Sequence, residues 1–189
     1  MAPNTTTTNG DESDTEHPAA DVETIVVDPE DIIEMMRRNA RDRDEQRGHS
    51  LRISPPFDGE LRATPHVTQK DKYYPVDLSQ KPIHLGASVF LAGHSHFRHP
   101  DFPEVCRYPD RHTQRSRFRD ELGYTRDDGS YRELTDEEEA EWEEWWDTVL
   151  EVWREEVRAN LKNEATLESR TVDGMLETTV EIRYEERDQ

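Results

Sequence analysis

Residues 92–99 read AGHSHFRH, and Cys106 and His112 follow within the next thirteen positions. His94, His96, His99, Cys106 and His112 together offer imidazole nitrogens and one thiolate, donors that suit a four-coordinate zinc ion. A second chemistry overlaps the first. Between His94 and Arg119 stand Arg98, Arg107, Arg111, Arg115, Arg117 and Arg119 against three acids, Asp101, Glu104 and Asp110, a local positive excess in a chain of net charge -20. If residues 110–122 are helical, Arg111, Arg115 and Arg119 form one basic ridge at four-residue spacing while Phe118 and Leu122 face inward. Such a ridge can contact the phosphates of a nucleic acid.

Each candidate has a plainer explanation. GHSH resembles the last metal motif of calcineurin-like phosphoesterases, but no Asp-x-His precedes it and no Gly-Asn-His is present. HSHFRH resembles the His-x-His-x-Asp-His of metallo-β-lactamase-like hydrolases, with Arg98 putting a cation where a ligand belongs. The cupin pattern fails because neither Gly86 nor Glu104 falls at the required spacing. What is left is a mononuclear zinc site or a solvated polar loop, and short histidine motifs are most often the latter. The arginines have a structural use as well: residues 136–158 hold eleven acids and two arginines, and the basic segment can pack on them. Phosphate contacts also weaken steeply with salt.

The third candidate is aromatic. In TDEEEAEWEEWWDTVLEVWREEVRANLKN, the residues Trp142, Trp145, Trp146, Val149, Val152, Trp153 and Val157 recur at helical spacing, and such a stripe is ordinarily a buried face. Glu156 falls at the edge of that face, where an acid usually snorkels to water, although full burial would raise its pKa. No Ser-His-Asp, Cys-His, P-loop or dinucleotide signature stands at a usable spacing. In so acidic a chain, paired carboxylates carry no information.

These residues sit in a chain of 189, long enough for one domain with a tail. It has 44 Asp and Glu but only four lysines, Lys70, Lys72, Lys81 and Lys162. Short hydrated carboxylates with few long cationic stems are the surface expected of a protein kept soluble in concentrated salt. At about 1 M salt the Debye length is about 3 Å, so the net charge does not by itself imply a basic partner. The single cysteine excludes an intramolecular disulfide. No apolar run has membrane-spanning length, and the first residues have neither a basic nor an apolar leader region. A cytoplasmic location is expected.

Residues 1–21 carry almost no large apolar side chain and read as a disordered acidic tail whose removal would leave stability unchanged. In VETIVVDPEDIIEMMRRNARDRDEQRG, Asp28 as N-cap, Pro29 at the first turn and Gly48 as a stop predict a helix over 29–46. SLRISPPFDGELRATPHV reads as extended chain turning at Asp58-Gly59, and YYPVDL and KPIHLG read as further strands. Residues 92–131 form an excursion with one short helix near 113–122. Thr135 and Glu138 make a capping box for a helix over 136–162. Asp173-Gly174 then predicts a two-residue hairpin pairing Leu167 with Val180 and Ala165 with Ile182.

The combination of LRISPPFDGELRA, KPIHL and WREEVRANLKNEATL leading into a final hairpin resembles a family of uncharacterised haloarchaeal proteins, a domain of unknown function. The resemblance covers most of residues 22–184. It implies a single salt-adapted domain and carries no catalytic residue. The expected architecture is α+β: an antiparallel sheet with two helices packed on one face, over residues 22–186. The expected role is a non-enzymatic accessory or interaction module with a protein partner and no cofactor. The alternatives are a zinc protein using the histidine segment and a nucleic-acid-associated protein using the arginine ridge.

Overall fold

The computed structural model describes residues 17–42, 47–69, 81–93, 106–124, 130–170 and 175–187. Among these it places helices and strands together, the α+β class expected, but the strands form two sheets. Strand β1, Val22–Val27, runs into helix α1, Pro29–Arg41, followed by β2, Arg47–Ile53, β3, Gly59–Arg62, and β4, Thr64–Gln69. Then come β5, Ile83–Leu85, the short helix α2, Ala87–Phe90, and helices α3, Arg111–Glu121, and α4, Asp136–Ala159. The hairpin strands β6, Glu164–Arg170, and β7, Met175–Tyr184, complete the order.

The first sheet has the order β3-β1-β7-β6, with β1 parallel to both of its neighbours and β6 antiparallel to β7. The single antiparallel sheet expected from the sequence is therefore corrected. The cause is VETIVV, a segment the helical pattern of its successor leaves unassigned. Ile25, Val26 and Val27 are all buried, and a strand buried on both faces reads as a continuous apolar run rather than an alternation. The second sheet, β4-β2-β5, is antiparallel throughout. The chain changes sheet at Ala63, which is fully buried and donates its N–H to the Val26 carbonyl at 2.8 Å. Asp58-Gly59 is thus not a hairpin turn between β2 and its partner; it leads into a strand of the other sheet.

Helix α1 begins as expected. The Asp28 carboxylate accepts the Glu30 amide at 2.9 Å, Pro29 fills the first position, and Glu30 and Asp31 suit the positive end of the dipole. It ends five residues early, at Arg41, and Gly48 belongs to β2. A Cβ on Gly48 would meet Thr68 Oγ1 at 2.6 Å, so this glycine serves the close approach of β4 rather than a helix stop. Residues 17–21, read as part of the tail, form a turn, with Ala19 fully buried and His17 Nδ1 accepting the Ala19 amide at 3.0 Å. Residues 1–16 lie outside the described residues.

The β6-β7 register differs by two residues from the one expected, with Ala165 opposite Val180 and Leu167 opposite Thr178. Arg170 pairs with Met175. A slip of two keeps every side chain on its own face, and Ala165, Leu167, Val180 and Ile182 are buried in either register.

One core draws on both sheets, on Ile32, Ile33, Met35 and Met36 of α1, and on Trp153 and Val157 of α4. A second core holds Phe118 of α3 with Trp142 and Trp146 of α4, and Trp145, Val149 and Leu134 pack on it. At about 100° per residue Trp142, Trp146, Trp153 and Val157 fall within an arc of about 60°. Val152 lies well outside that arc and is 61 % exposed. Its expected place on the buried face is corrected accordingly. Of the excursion expected over 92–131, the described residues 106–124 are a short strap followed by α3, and they cover the first half of α4.

Candidate functional site

Helix α4 spans both cores, and the strap Cys106–Asp110 crosses it where they meet. Cys106 is fully buried and has φ of 62°, a left-handed conformation uncommon outside glycine. Three contacts with α4 hold it there. Its amide donates to Glu156 Oε1 at 3.1 Å, its thiol to the Glu156 carbonyl at 3.5 Å, and its carbonyl accepts the Trp153 indole N–H at 2.9 Å. Glu156, expected as a snorkelling edge residue, is exposed overall and uses its carboxylate to fix the strap. Burial, with the Glu156 carboxylate adding to it, pushes the Cys106 thiol up to about 11. Two residues on, Tyr108 packs edge-on to Trp153 at 5.0 Å and to Trp146 at 6.5 Å, joining the two cores.

Asp110 then caps α3, its carboxylate accepting the Thr113 amide at 2.7 Å. That hydrogen bond, first through the Thr113 side chain and then its backbone, holds the Asp110 carboxyl below its ordinary range. The ridge formed by Arg111, Arg115 and Arg119 faces α4. Arg111 pairs with Glu143 and lies over the Trp146 ring at 5.8 Å; Arg115 pairs with Glu139 and lies over Trp142 at 5.8 Å. Arg119 lies over the Tyr131 ring at 5.3 Å. The Arg111 and Arg115 guanidinium groups each lie between an aromatic ring and a carboxylate, a geometry to which their flat shape is suited. At the head of α4, Glu138 completes the capping box with Thr135 and takes both arms of Arg132. Those hydrogen bonds depress its carboxyl far below the usual range.

A groove flanks the strap on both sides. One cavity of about 510 Å³ has Arg41, Arg107, Arg111 and Asp110 at its rim and Tyr108 and Trp146 on its walls. The other, about 540 Å³, runs between α3 and α4 past Arg117, Val149 and the exposed Val152.

Of the five zinc candidates, His94, His96 and His99 lie outside the described residues. Cys106 is the buried anchor just described, and His112 is exposed on α3. Among the described residues no cluster of three or more His, Cys, Asp or Glu is placed to hold a metal ion. Nor, among them, is any helix long and apolar enough to cross a membrane.

A second polar constellation was not singled out from the sequence. Ser50 and Arg52 of β2 stand opposite His66 and Thr64 of β4, and Arg52 also stands opposite His84 of β5. Ser50 Oγ lies 3.1 Å from His84 Nδ1, and the His66 and His84 rings approach to 4.9 Å between centroids. Burial first, then the Arg52 charge, lowers the pKa of His66; burial, His66 and Arg52 lower that of His84. The signal was hard to find because each residue is alone in its own strand. Only the pairing of β2 with both neighbours brings them together.

No curated protein and no solved structure matches the chain. Residues 11–186 match a family described as a domain of unknown function (DUF8009). That match spans nearly the whole chain, both sheets and the α3/α4 unit included, and the protein belongs to this family.

Proposed function

We propose that the protein is a non-enzymatic interaction module of a salt-rich cytoplasm, and that the groove beside the Cys106–Asp110 strap receives a segment of a protein partner. The observation that carries this reading is the arrangement at the strap. A backbone in a left-handed conformation is fixed by three hydrogen bonds to α4, and it presents Tyr108 and Arg107 at a cleft that Arg41 also lines. A basic mouth over aromatic walls, in a chain of net charge -20, complements a segment bearing a carboxylate beside an apolar side chain. Strain held at a rigid scaffold is characteristic of surfaces that recognise something.

The alternatives draw less support from the geometry. Arg111 and Arg115 are engaged by Glu143 and Glu139, which takes positive charge away from the ridge a nucleic acid would meet. A zinc site using Cys106 would need its thiolate, the form that burial disfavours here.

The test is affinity capture from the source lysate, held at high salt, comparing the wild type with Arg107→Glu and Val152→Glu. A partner retained by the wild type, identified by mass spectrometry and lost from both variants while their melting temperatures stay unchanged, supports the proposal. Retention by both variants places the contact elsewhere and rejects the groove. Stoichiometric zinc in the purified protein, removed together with partner binding by chelation, would make the metal reading the better one.

A further inference from the structure

The face of β4-β2-β5 opposite Leu51 and Ile53 has a composition unlike the rest of the molecule. Alternation along β2 sends Leu51 and Ile53 into the core and leaves Gly48, Ser50 and Arg52 on the other side. The register adds Thr64, His66 and Thr68 from β4 and His84 from β5. Among the described residues of these three strands, that face carries no carboxylate, although the chain contains 44. Its one formal cation, Arg52, differs from most of the described arginines. Arg111, Arg115, Arg132, Arg154, Arg158, Arg183 and Arg187 each pair with an acid. Among the described residues none pairs with Arg52, and its Nε is buried without a hydrogen-bond partner.

Arg52 is half-buried without a counterion, which is unfavourable, and it is flanked by two imidazoles and a hydroxyl. A divalent metal would add positive charge beside Arg52. An anion resolves the same arrangement. The guanidinium offers a planar fork, neutral His66 offers one N–H, and Ser50, with His84 Nδ1 3.1 Å from its Oγ, offers its hydroxyl when that nitrogen donates to it. These donors come from the adjacent strands β2 and β4, with His84 of β5 as the partner of Ser50. The acids sharing a cleft with Ser50 and His66, Asp31 and Glu34 of α1, are themselves occupied. Asp31 pairs with Arg187, and Glu34 with Arg37 and Arg38.

We propose that Arg52, His66 and Ser50, the last held by His84, form a binding site for one phosphate group of a small phosphorylated molecule. One arginine fits a single phosphate better than a nucleic-acid backbone, whose binding draws on many phosphate contacts. A bound dianion sets a negative charge beside the imidazoles in place of the Arg52 cation alone, so both titrate at higher pH and occupancy rises as pH falls toward their midpoints.

The experiment is proton NMR of the imidazole signals of the full chain, titrated with inorganic phosphate at constant ionic strength, with potassium chloride as the balancing salt. Saturable shifts confined to His66 and His84, with their titration midpoints displaced upward, are expected. Arg52→Gln should weaken phosphate binding at least tenfold, and Arg52→Lys, which keeps the charge and guards against misfolding of the first variant, should weaken it less. An absence of saturable shifts with phosphate overturns the proposal. So do shifts that follow zinc but not phosphate, or tight binding of a single-stranded oligonucleotide with no response to inorganic phosphate.

Discussion

Trp142 and Cys106 are the residues on which the packing of α4 turns, and each makes a separable prediction. Trp142 is fully buried, stacked on Trp145 and Trp146 at 5.5 and 5.8 Å and edge-on to Phe118 at 5.6 Å, yet its indole N–H has no partner among the described residues. Its contribution therefore comes from ring area and volume. Trp142→Ala should destabilise by about 3–5 kcal/mol through the cavity it leaves, whereas Trp142→Phe, which keeps a ring and removes an unsatisfied donor, should cost less than about 1.5 kcal/mol. Urea unfolding of the two variants checks this, and equal losses would show that the indole N–H is bonded after all. Cys106 makes a pH prediction. Its thiol titrates from an ordinary value of 9.0 up to about 11 in the folded protein, so the unfolded chain ionises first. Its effect on stability is nil below pH about 9; as pH rises from there toward about 11, the unfolded state gains and stability falls. Cys106→Ala should lack that decline in thermal melts across the same range. The folded wild type should also resist Ellman's reagent at neutral pH, and rapid labelling would contradict the burial. None of this was legible in the sequence, where Cys106 looked like a ligand because of the histidines upstream. Its contact with Glu156, fifty residues away, is a product of tertiary packing.

At the scale of elements, what the sequence disclosed was local. Asp28 and Pro29 opened α1, and Thr135 and Glu138 opened α4, because a cap is a chemical event within three or four residues. The α3/α4 pairing was also foreshadowed, since a basic helix and an acidic one complement each other whatever lies between them. What stayed hidden depends on distant partners. The parallel placement of β1 between β3 and β7, the change of sheet at Ala63 and the role of Gly48 against Thr68 have no local signature. The hairpin shows the boundary between the two kinds of information: apolar alternation fixed which face is buried, and only turn length distinguished two registers that share it. The N-terminal turn is the other case, because residues 17–21 are too polar to announce a core contact. Ala19 nevertheless fills a buried position, and the Asp21 carbonyl accepts the Gly59 amide at 2.9 Å. A chain beginning at Val22 should therefore lose about 1–2 kcal/mol, seen as a fall of several degrees in melting temperature. An unchanged melting temperature would mean that the turn contributes nothing to the folded state.

For the whole molecule, the governing quantity is the excess of 44 acids over 24 basic residues. Salt acts on it in two opposing ways. It screens the mutual repulsion of the unpaired carboxylates, which stabilises the compact state, and it weakens the exposed pairs such as Arg154 with Glu30 and Arg183 with Glu60. Exposed pairs are worth about 0–1 kcal/mol each, and acids outnumber bases, so the first effect should win and the melting temperature should rise with potassium chloride. Most of the electrostatic rise should be complete by about 1 M, where the Debye length has shrunk to about 3 Å. Helix α4 supplies an internal control. Glu139 and Glu143 are one turn apart on the same helix face and repel each other, and each is neutralised from α3, by Arg115 and Arg111 respectively. Removing both partners with Arg111→Gln and Arg115→Gln should destabilise the protein by about 1–2 kcal/mol in dilute buffer and much less in about 2 M potassium chloride, where screening replaces the lost countercharges. A wild-type melting temperature that does not respond to salt would refute the salt-adapted reading. A double variant equally destabilised at both salt concentrations would instead assign the role of the ridge to packing against Trp142 and Trp146.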